Sequence, residues 1–305
     1  MTNHKSATKN LLIIGGLLVD DIAIPEHNLK PASSNPVKWQ HRLGGVAANV
    51  ARVATRQLDV CFIASTGNDN AGKSLSIGLQ QSQTSHTLSA KLVIREGQHS
   101  DNYTAILQPD GELYLGLADA QLTAQITWQD IMVRLPAEQP DAVVLDANLS
   151  QACIVEIVDS LIAHYDTRIP VFALAVSPTK AVRYLAVAEK IDVLFCNRRE
   201  AAALTQLDWQ TDLNHLADAM LELNFNSFII TDGGRPMLVQ EQRLRTSVAV
   251  PSIEIRKNVN GAGDALAGAT VANVILGHTL AKAAQNAGLK AASKVLSGES
   301  EPPLI

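Results

Sequence analysis

The sequence predicts an α/β fold: a mostly parallel sheet with helices on both faces. Two observations carry that expectation. Short apolar runs alternate along the chain with helix-length segments, the pattern of a sheet covered on both sides. The polar and glycine-rich stretches that could do chemistry follow directly after predicted strands, at the carboxyl ends where such sheets bind ligands. With 305 residues, 47% of them hydrophobic, the chain has material for one large domain or two small ones. A single domain over residues 1–305, with two segments inserted in its core, is the expected organisation.

The elements follow in order. Leu11–Ile14 reads as a strand, Val46–Leu58 as a helix and Val60–Ser65 as the next strand. Ala142–Leu145, Val171–Ala175, Val193–Cys196 and Ser227–Thr231 read as further buried strands, with helical segments such as Gln151–His164 and Asp212–Leu223 between them. A long Ala-rich helix is expected over Ala265–Leu276. Two segments break the alternation. Asp20–Leu43 is polar, contains proline and has no helical period. Lys91–Leu117 holds the turn signal Pro109-Asp110-Gly111 and suggests antiparallel strands over Leu92–Ile94, Tyr103–Leu107 and Glu112–Leu115. Together, over about residues 16–43 and 91–118, they suggest a small sheet standing off the main one, serving as a lid, a dimer interface or both.

Composition excludes several classes. A net charge of -5 without a basic stripe, and 4% aromatic residues, argue against nucleic-acid binding. No apolar run approaches the length needed to span a bilayer. The polar N-terminus, Met1–Asn10, lacks the apolar core of a signal peptide. Cys61, Cys153 and Cys196 are far apart in apolar surroundings, the pattern of reduced core residues. A cytoplasmic enzyme is expected.

The most informative stretch is Asn258-Val259-Asn260-Gly261-Ala262-Gly263-Asp264. Small residues at a helix start leave backbone N–H groups unobstructed at the positive end of the helix dipole, a pocket for a phosphoryl group. A carboxylate inside that pocket repels an anion but suits a base that takes a proton from an attacking hydroxyl. The stretch therefore reads as a phosphoryl-transfer centre, with Asp264 as base and the Gly261–Asp264 amides stabilising charge. Asn260-Gly261 is equally a hairpin signal, and small residues at a helix start also serve close packing. Asp264 at a helix N-terminus is expected to have a lowered pKa.

Weaker signals fall on the same predicted face. Gly44 and Gly45 open the first helix, and Asn49 follows in its first turns, suited to a pair of sugar hydroxyls or to an ordinary polar position. Asp20 suits ribose-like hydroxyls or a solvated turn. Asn197 and Glu200 share a helix start, fitting either phosphate and Mg²⁺ or an N-cap with its capping-box glutamate. Thr231-Asp232-Gly233-Gly234 ends a strand, with glycines that admit a nucleotide or make a plain turn. Gly15-Gly16-Leu17-Leu18-Val19-Asp20 is not the Gly-x-Gly-x-x-Gly turn of a nicotinamide-dependent dehydrogenase.

Taken together these residues resemble the ribokinase-like (PfkB) carbohydrate and nucleoside kinases, nearly end to end. Gly44-Gly45 with Asn49 resembles the family's N-terminal signature, Asn197…Glu200 its N-x-x-E motif, and Asn258–Asp264 its C-terminal D-T-x-G-A-G-D signature. The resemblance implies a three-layer α/β/α sandwich with a small β-sheet lid, and the cofactors ATP and Mg²⁺. It implies Asp264 as general base, Gly261, Ala262 and Gly263 as anion hole, and Asp20, Gly44, Gly45 and Asn49 around the sugar. It further implies Asn197, Thr231, Gly233, Asn260 and Asn286 near the nucleotide, with Glu200 serving the metal. Ser34-Asn35-Pro36, Tyr103, Asp110-Gly111-Glu112, Asp119, Asp146-Ala147-Asn148 and Val176-Ser177-Pro178 resemble the branch of the family that phosphorylates pseudouridine at its 5′-hydroxyl, and add Tyr103 and Asn148 to the substrate side. The implied partner is a small nucleoside or sugar, with ribose, a hexose, a hexose phosphate or adenosine as rival acceptors; the alternative of another class is a non-catalytic nucleoside-binding relative, which would be expected to lose Asp264. A sugar phosphate would need clustered cations near the lid, and Lys38, Arg42 and Arg95 are scattered. The chain departs from the family pattern at Leu18, Ala175 and Asn258-Val259, and the last puts activation by a monovalent cation (K⁺) in question.

Overall fold

Two neighbouring residues of one strand point to opposite sides of a sheet, and in this protein they enter two different cores. In the computed structural model, which describes residues 8–82, 84–252 and 261–299, the first strand is wholly enclosed: Leu11 and Ile13 join one apolar cluster, Leu12 and Ile14 the other. That explains why the strand is an unbroken apolar run.

Strands β1 (Asn10–Ile14), β2 (Leu18–Pro25) and β3 (Val37–Gly44) precede helix α1 (Val46–Ala54). Then come β4 (Asp59–Gly67), α2 (Asn70–Gln81), β5 (Leu88–Arg95), β6 (Asn102–Leu107), β7 (Leu113–Asp119) and α3 (Trp128–Met132). The second half runs β8 (Ala142–Asp146), α4 (Gln151–Tyr165), β9 (Val171–Leu174), α5 (Pro178–Ala181), β10 (Val193–Asn197), α6 (Arg198–Thr205) and α7 (Leu213–Glu222). It ends with β11 (Ser227–Asp232), β12 (Arg235–Glu241), β13 (Leu244–Val248), α8 (Ala262–Ile275), α9 (Leu280–Ala283) and α10 (Leu289–Leu296).

The main sheet has nine strands in the order β13-β12-β11-β10-β9-β8-β1-β4-β5. It is parallel from β5 to β11, and β12 and β13 extend it antiparallel. One cluster carries side chains of α1, α2, α8 and α10; the other carries α3, α4, α6 and α7, so helices cover both faces as expected. The small sheet has the order β3-β2-β6-β7. Pro109-Asp110-Gly111 turns β6 into β7, with Gln108 N–H donating to Glu112 O at 2.7 Å.

One strand is not where its pattern suggested. Leu92–Ile94 lies in β5 and pairs with β4, so it belongs to the main sheet. As an edge strand it is only half covered, and its mixed exposure imitates a strand of the small sheet.

Candidate active site

Helix α8 is built of small and apolar residues, and Ala265 to Ala272 are all buried. It crosses α1 closely: a Cβ on Gly268 would come within 2.9 Å of Val50 O. That crossing joins two distant parts of the chain, so that Asn49 Nδ2 donates to Asp264 Oδ2 at 2.9 Å. Gly261 caps α8 with a left-handed φ of 80°, and Ala265 N–H closes the first helical turn onto Gly261 O at 2.9 Å. The amides of Ala262, Gly263 and Asp264 head the helix without an intrahelical acceptor. A Cβ on Gly263 would meet nothing within 4 Å, so close packing does not explain the small residue there.

Gly44 and Gly45 are required by close approach. A Cβ on Gly44 would collide with the Asp20 carboxyl carbon. Gly45 has φ 106°, and a Cβ there would strike Gly16 O. Asp20 is a strand residue of β2, not a turn residue, and the register places Arg42, Asp20, Tyr103 and Ala118 in one row across all four strands of the small sheet. The row that follows on the other face, Trp39, Ala23, Ile106 and Leu115, has Trp39 and Leu115 exposed.

Thr231, Gly263 and Leu266 form a wall shared by two cavities. The first, of about 220 Å³, is lined by Met237, Val250, Leu289, Ala292 and Leu296 together with Thr231, Asp232, Gly233 and Gly234. The second, of about 470 Å³, gathers Asn197, Glu200, Gly261 and Asp264, with Leu113 reaching in from β7. Asn286, expected near the nucleotide, does not line the apolar cavity: it is exposed, and Leu289, Ala292 and Leu296 take that wall. Asn258, Val259 and Asn260 lie outside the described residues.

Asn197 and Glu200 form the capping box of α6: Glu200 N–H donates to Asn197 Oδ1 at 3.0 Å, and Asn197 N–H to Glu200 Oε2 at 2.8 Å. Both also line the polar cavity, so the capping box does not take them away from it. Asn148 is buried and committed. It gives N–H bonds to Asp146 at 3.0 and 3.1 Å and accepts from Lys180 Nζ at 2.7 Å. Tyr103 is half-buried, and burial together with the Asp20 charge raises its phenol pKa.

Three carboxyl groups here hold their protons unusually well. Burial raises Asp20 to about 7, reinforced by Asp264 and Asp21 and opposed by Arg42. Burial raises Glu200 to about 7, opposed by the Asn197 amide and reinforced by Asp264. Burial raises Asp264 to about 6, opposed by the Asn49 hydrogen bond and reinforced by Asp146. The direction is opposite to the lowered pKa expected for Asp264 from the helix terminus, because burial of the carboxyl raises it. A base near 6 is matched to work at neutral pH.

Sequence reasoning named Asp146 only as part of a resemblance and gave it no role. Asp146, fully buried at the end of β8, accepts N–H bonds from Gly16 at 2.9 Å and Ala47 at 3.1 Å, fixing the loop after β1 against the start of α1. The rule that sites lie beyond strand ends would have found Asp146; no local signal marks Lys180 as its neighbour.

Comparison with known proteins agrees with the geometry. Residues 8–303 match the pfkB family carbohydrate kinases. The chain is 26% identical over 260 residues to the pseudouridine kinase of Escherichia coli (strain K12), covering 84% of this chain and 80% of that protein. Among solved structures it is similar to a carbohydrate kinase from Agrobacterium tumefaciens (TM-score 0.76, 28% identity, 96% and 92% of the two chains). A ribokinase from Giardia lamblia shares the fold (TM-score 0.80, 16% identity, 95% and 94%). With a family match spanning nearly the whole chain, over a ribokinase-like fold with Asp264 at the head of α8, this protein belongs to the pfkB family of carbohydrate kinases.

Proposed function

We propose that the protein transfers the γ-phosphoryl group of ATP to the 5′-hydroxyl of pseudouridine, giving pseudouridine 5′-phosphate. The observation that carries the chemistry is Asp264, held by Asn49 at 2.9 Å beside the amides that open α8. The likeness to the E. coli pseudouridine kinase supports the acceptor.

ATP lies with its base in the apolar cavity and its phosphates across the shared wall of Thr231 and Gly263. The acceptor ribose sits between Asp20 and Asn49, under the small sheet. Its 5′-oxygen attacks the γ-phosphorus while Asp264 takes the hydroxyl proton. The bond to the β-phosphate oxygen breaks, and ADP leaves. The Ala262, Gly263 and Asp264 amides stabilise charge on the phosphoryl oxygens in transit. The small sheet and Leu113 exclude water, which limits ATP hydrolysis.

The donor chemistry fits Mg²⁺. Glu200 and Asp264 repel each other across the polar cavity, and a divalent cation relieves that repulsion. Among the described residues no cluster of three acidic, histidine or cysteine groups would hold a metal unaided, consistent with Mg²⁺ carried largely by phosphates and water. Glu200 is the residue that would hold it; when bound, Mg²⁺ supplies charge neutralisation at the phosphates.

All three cysteines are unpaired, which supports a reducing, cytoplasmic setting. The exposed Trp39, Leu115 and Leu117 support pairing of two copies through the small sheet.

The test is an ADP-release assay with ATP and Mg²⁺ over pseudouridine, uridine, adenosine, ribose and fructose. Turnover confined to pseudouridine is the expected result. Preference for ribose or another acceptor would retain the kinase and discard the substrate; no turnover from folded protein would remove the catalytic reading.

A further inference from the structure

The two residues between Asn197 and Glu200 are both arginines, and neither touches the chemistry described above. Their side chains reach away from the capping box. Arg199 lies over the Trp209 ring, 4.6 Å from its centre. Arg198 donates through Nη2 to Asp232 Oδ2 at 2.7 Å and through Nη1 to Thr211 O at 2.7 Å. Asp232 is the residue between Thr231 and Gly233 and lines the apolar cavity. Its other oxygen accepts from Arg235 Nη2 at 2.8 Å.

A carboxylate in the wall of a nucleotide cavity is at first sight misplaced, since it repels the phosphates that must pass it. Here it is neutralised from both sides. Its side chain is 7% exposed and that of Arg198 15%, so this contact is shielded from solvent, whereas Arg235 is largely exposed. Burial alone would raise the Asp232 pKa; the two guanidinium groups reverse that and hold it below the usual carboxylate value. Arg198 thus joins the start of α6, which carries Asn197 and Glu200, to the turn between β11 and β12, which carries Thr231 and Gly233.

We propose that Arg198 is a positioning residue for the nucleotide: its grip on Asp232 sets the spacing between the wall that receives the base and the corner that receives the phosphates, and cancels a charge that would otherwise repel ATP. This rests on the assignment of the apolar cavity to ATP. Loss of Arg198 leaves a shielded carboxylate unpaired beside the phosphate path, so its cost falls on nucleotide affinity. It leaves the acceptor, bound between Asp20 and Asn49, unaffected.

The test compares wild type with R198M, R198K, D232N and the double variant R198M/D232N, using ADP titration by calorimetry and separate KM values for ATP and pseudouridine. R245M, which breaks the Arg245–Asp218 pair on the far edge strand, controls for a lost ion pair of ordinary structural kind. R198M is expected to weaken ADP binding and raise KM for ATP about tenfold or more, as for a shielded pair that loses one partner, with KM for pseudouridine changed less than about twofold. R198K should regain part of the loss, and the double variant should bind ADP better than R198M alone because the orphaned carboxylate is gone. R245M should lower Tm without changing ADP affinity. Unchanged ADP affinity in folded R198M would overturn the role of Arg198 alone, as would an R198K variant no better than R198M. Absence of ADP binding in the wild type would overturn the cavity assignment, and this inference with it.

Discussion

Asp20, proposed to hold the acceptor, carries a buried carboxyl whose effect on stability one substitution can expose. Its carboxyl is raised from an ordinary 3.8 to about 7 by burial, with Asp264 and Asp21 adding repulsion. A carboxyl whose pKa is raised on folding binds its proton more tightly in the native state. Stability is therefore lost as pH rises from about 4 to about 7, and stays lost above that. At about 1.36 kcal/mol per pH unit, that rise amounts to roughly 4 kcal/mol at pH 8. Part of it is shared with Asp264, so Asp20→Asn should stabilise the unliganded protein by about 2–4 kcal/mol at pH 8. For a chain of this size that is an increase in Tm of about 3–6 °C. At pH 4, where the native carboxyl is already protonated, the gain should vanish. The same variant should lose acceptor binding, since a neutral amide is a poorer partner for two ribose hydroxyls. Thermal unfolding of both proteins from pH 4 to 8, without ligands, measures the difference directly. A Tm gain that is absent, or equal at both pH values, would refute the buried-charge explanation.

Other outcomes follow from the same geometry. Asp264→Asn should reduce kcat by about a hundredfold or more while ADP affinity is retained, read by turnover and calorimetry. Activity should fall about tenfold per pH unit below about 6, as Asp264 takes up a proton; Asn49→Ala, which removes a hydrogen bond that favours the carboxylate, should move that acid limb to higher pH. Gly44→Ala should push the Asp20 side chain aside and raise acceptor KM with little loss of Tm, because a side-chain end can yield. Gly45→Ala meets the Gly16 backbone at a positive φ and should lose at least about 1–3 kcal/mol of stability, measured by denaturant unfolding.

The main sheet was legible because its inner strands are enclosed on both faces and so are written as uninterrupted apolar runs. Strands β12 and β13 were not, since an antiparallel extension with one polar row has no such run; β12 keeps Arg235 and Pro236 exposed before its buried centre. Strand β5 was misassigned for the opposite reason: an edge position gives it the pattern of a lid strand. The motif residues at the strand ends were legible because their spacing reflects local demands such as the capping box of Asn197 and Glu200. What local pattern could not carry was the pKa of Asp264, which depends on burial and on Asp146, and the pairing of Arg198 with Asp232. Both arise from residues far apart in sequence that the fold alone brings together. Asn286 illustrates the limit of motif transfer, since it is exposed and the neighbouring Leu289, Ala292 and Leu296 line the cavity instead.

One buried carboxylate at the base of the small sheet has a mechanical consequence. The chain passes between the small sheet and the main body four times: at the start of β2, after β3, before β6 and after β7. Asp101 ties three of these together: its carbonyl accepts from Val19 N–H at 3.0 Å, its own chain continues into β6, and its carboxyl accepts from Leu122 and Thr123 N–H at 2.8 and 3.1 Å. With three of its four legs fastened at one residue and its strands paired throughout, the small sheet is built to move as a unit and not to peel strand by strand. Asp20, Arg42 and Tyr103 lie in one row of that sheet, so on the proposed placement of the acceptor, opening the sheet to solvent and letting go of the acceptor would be the same movement.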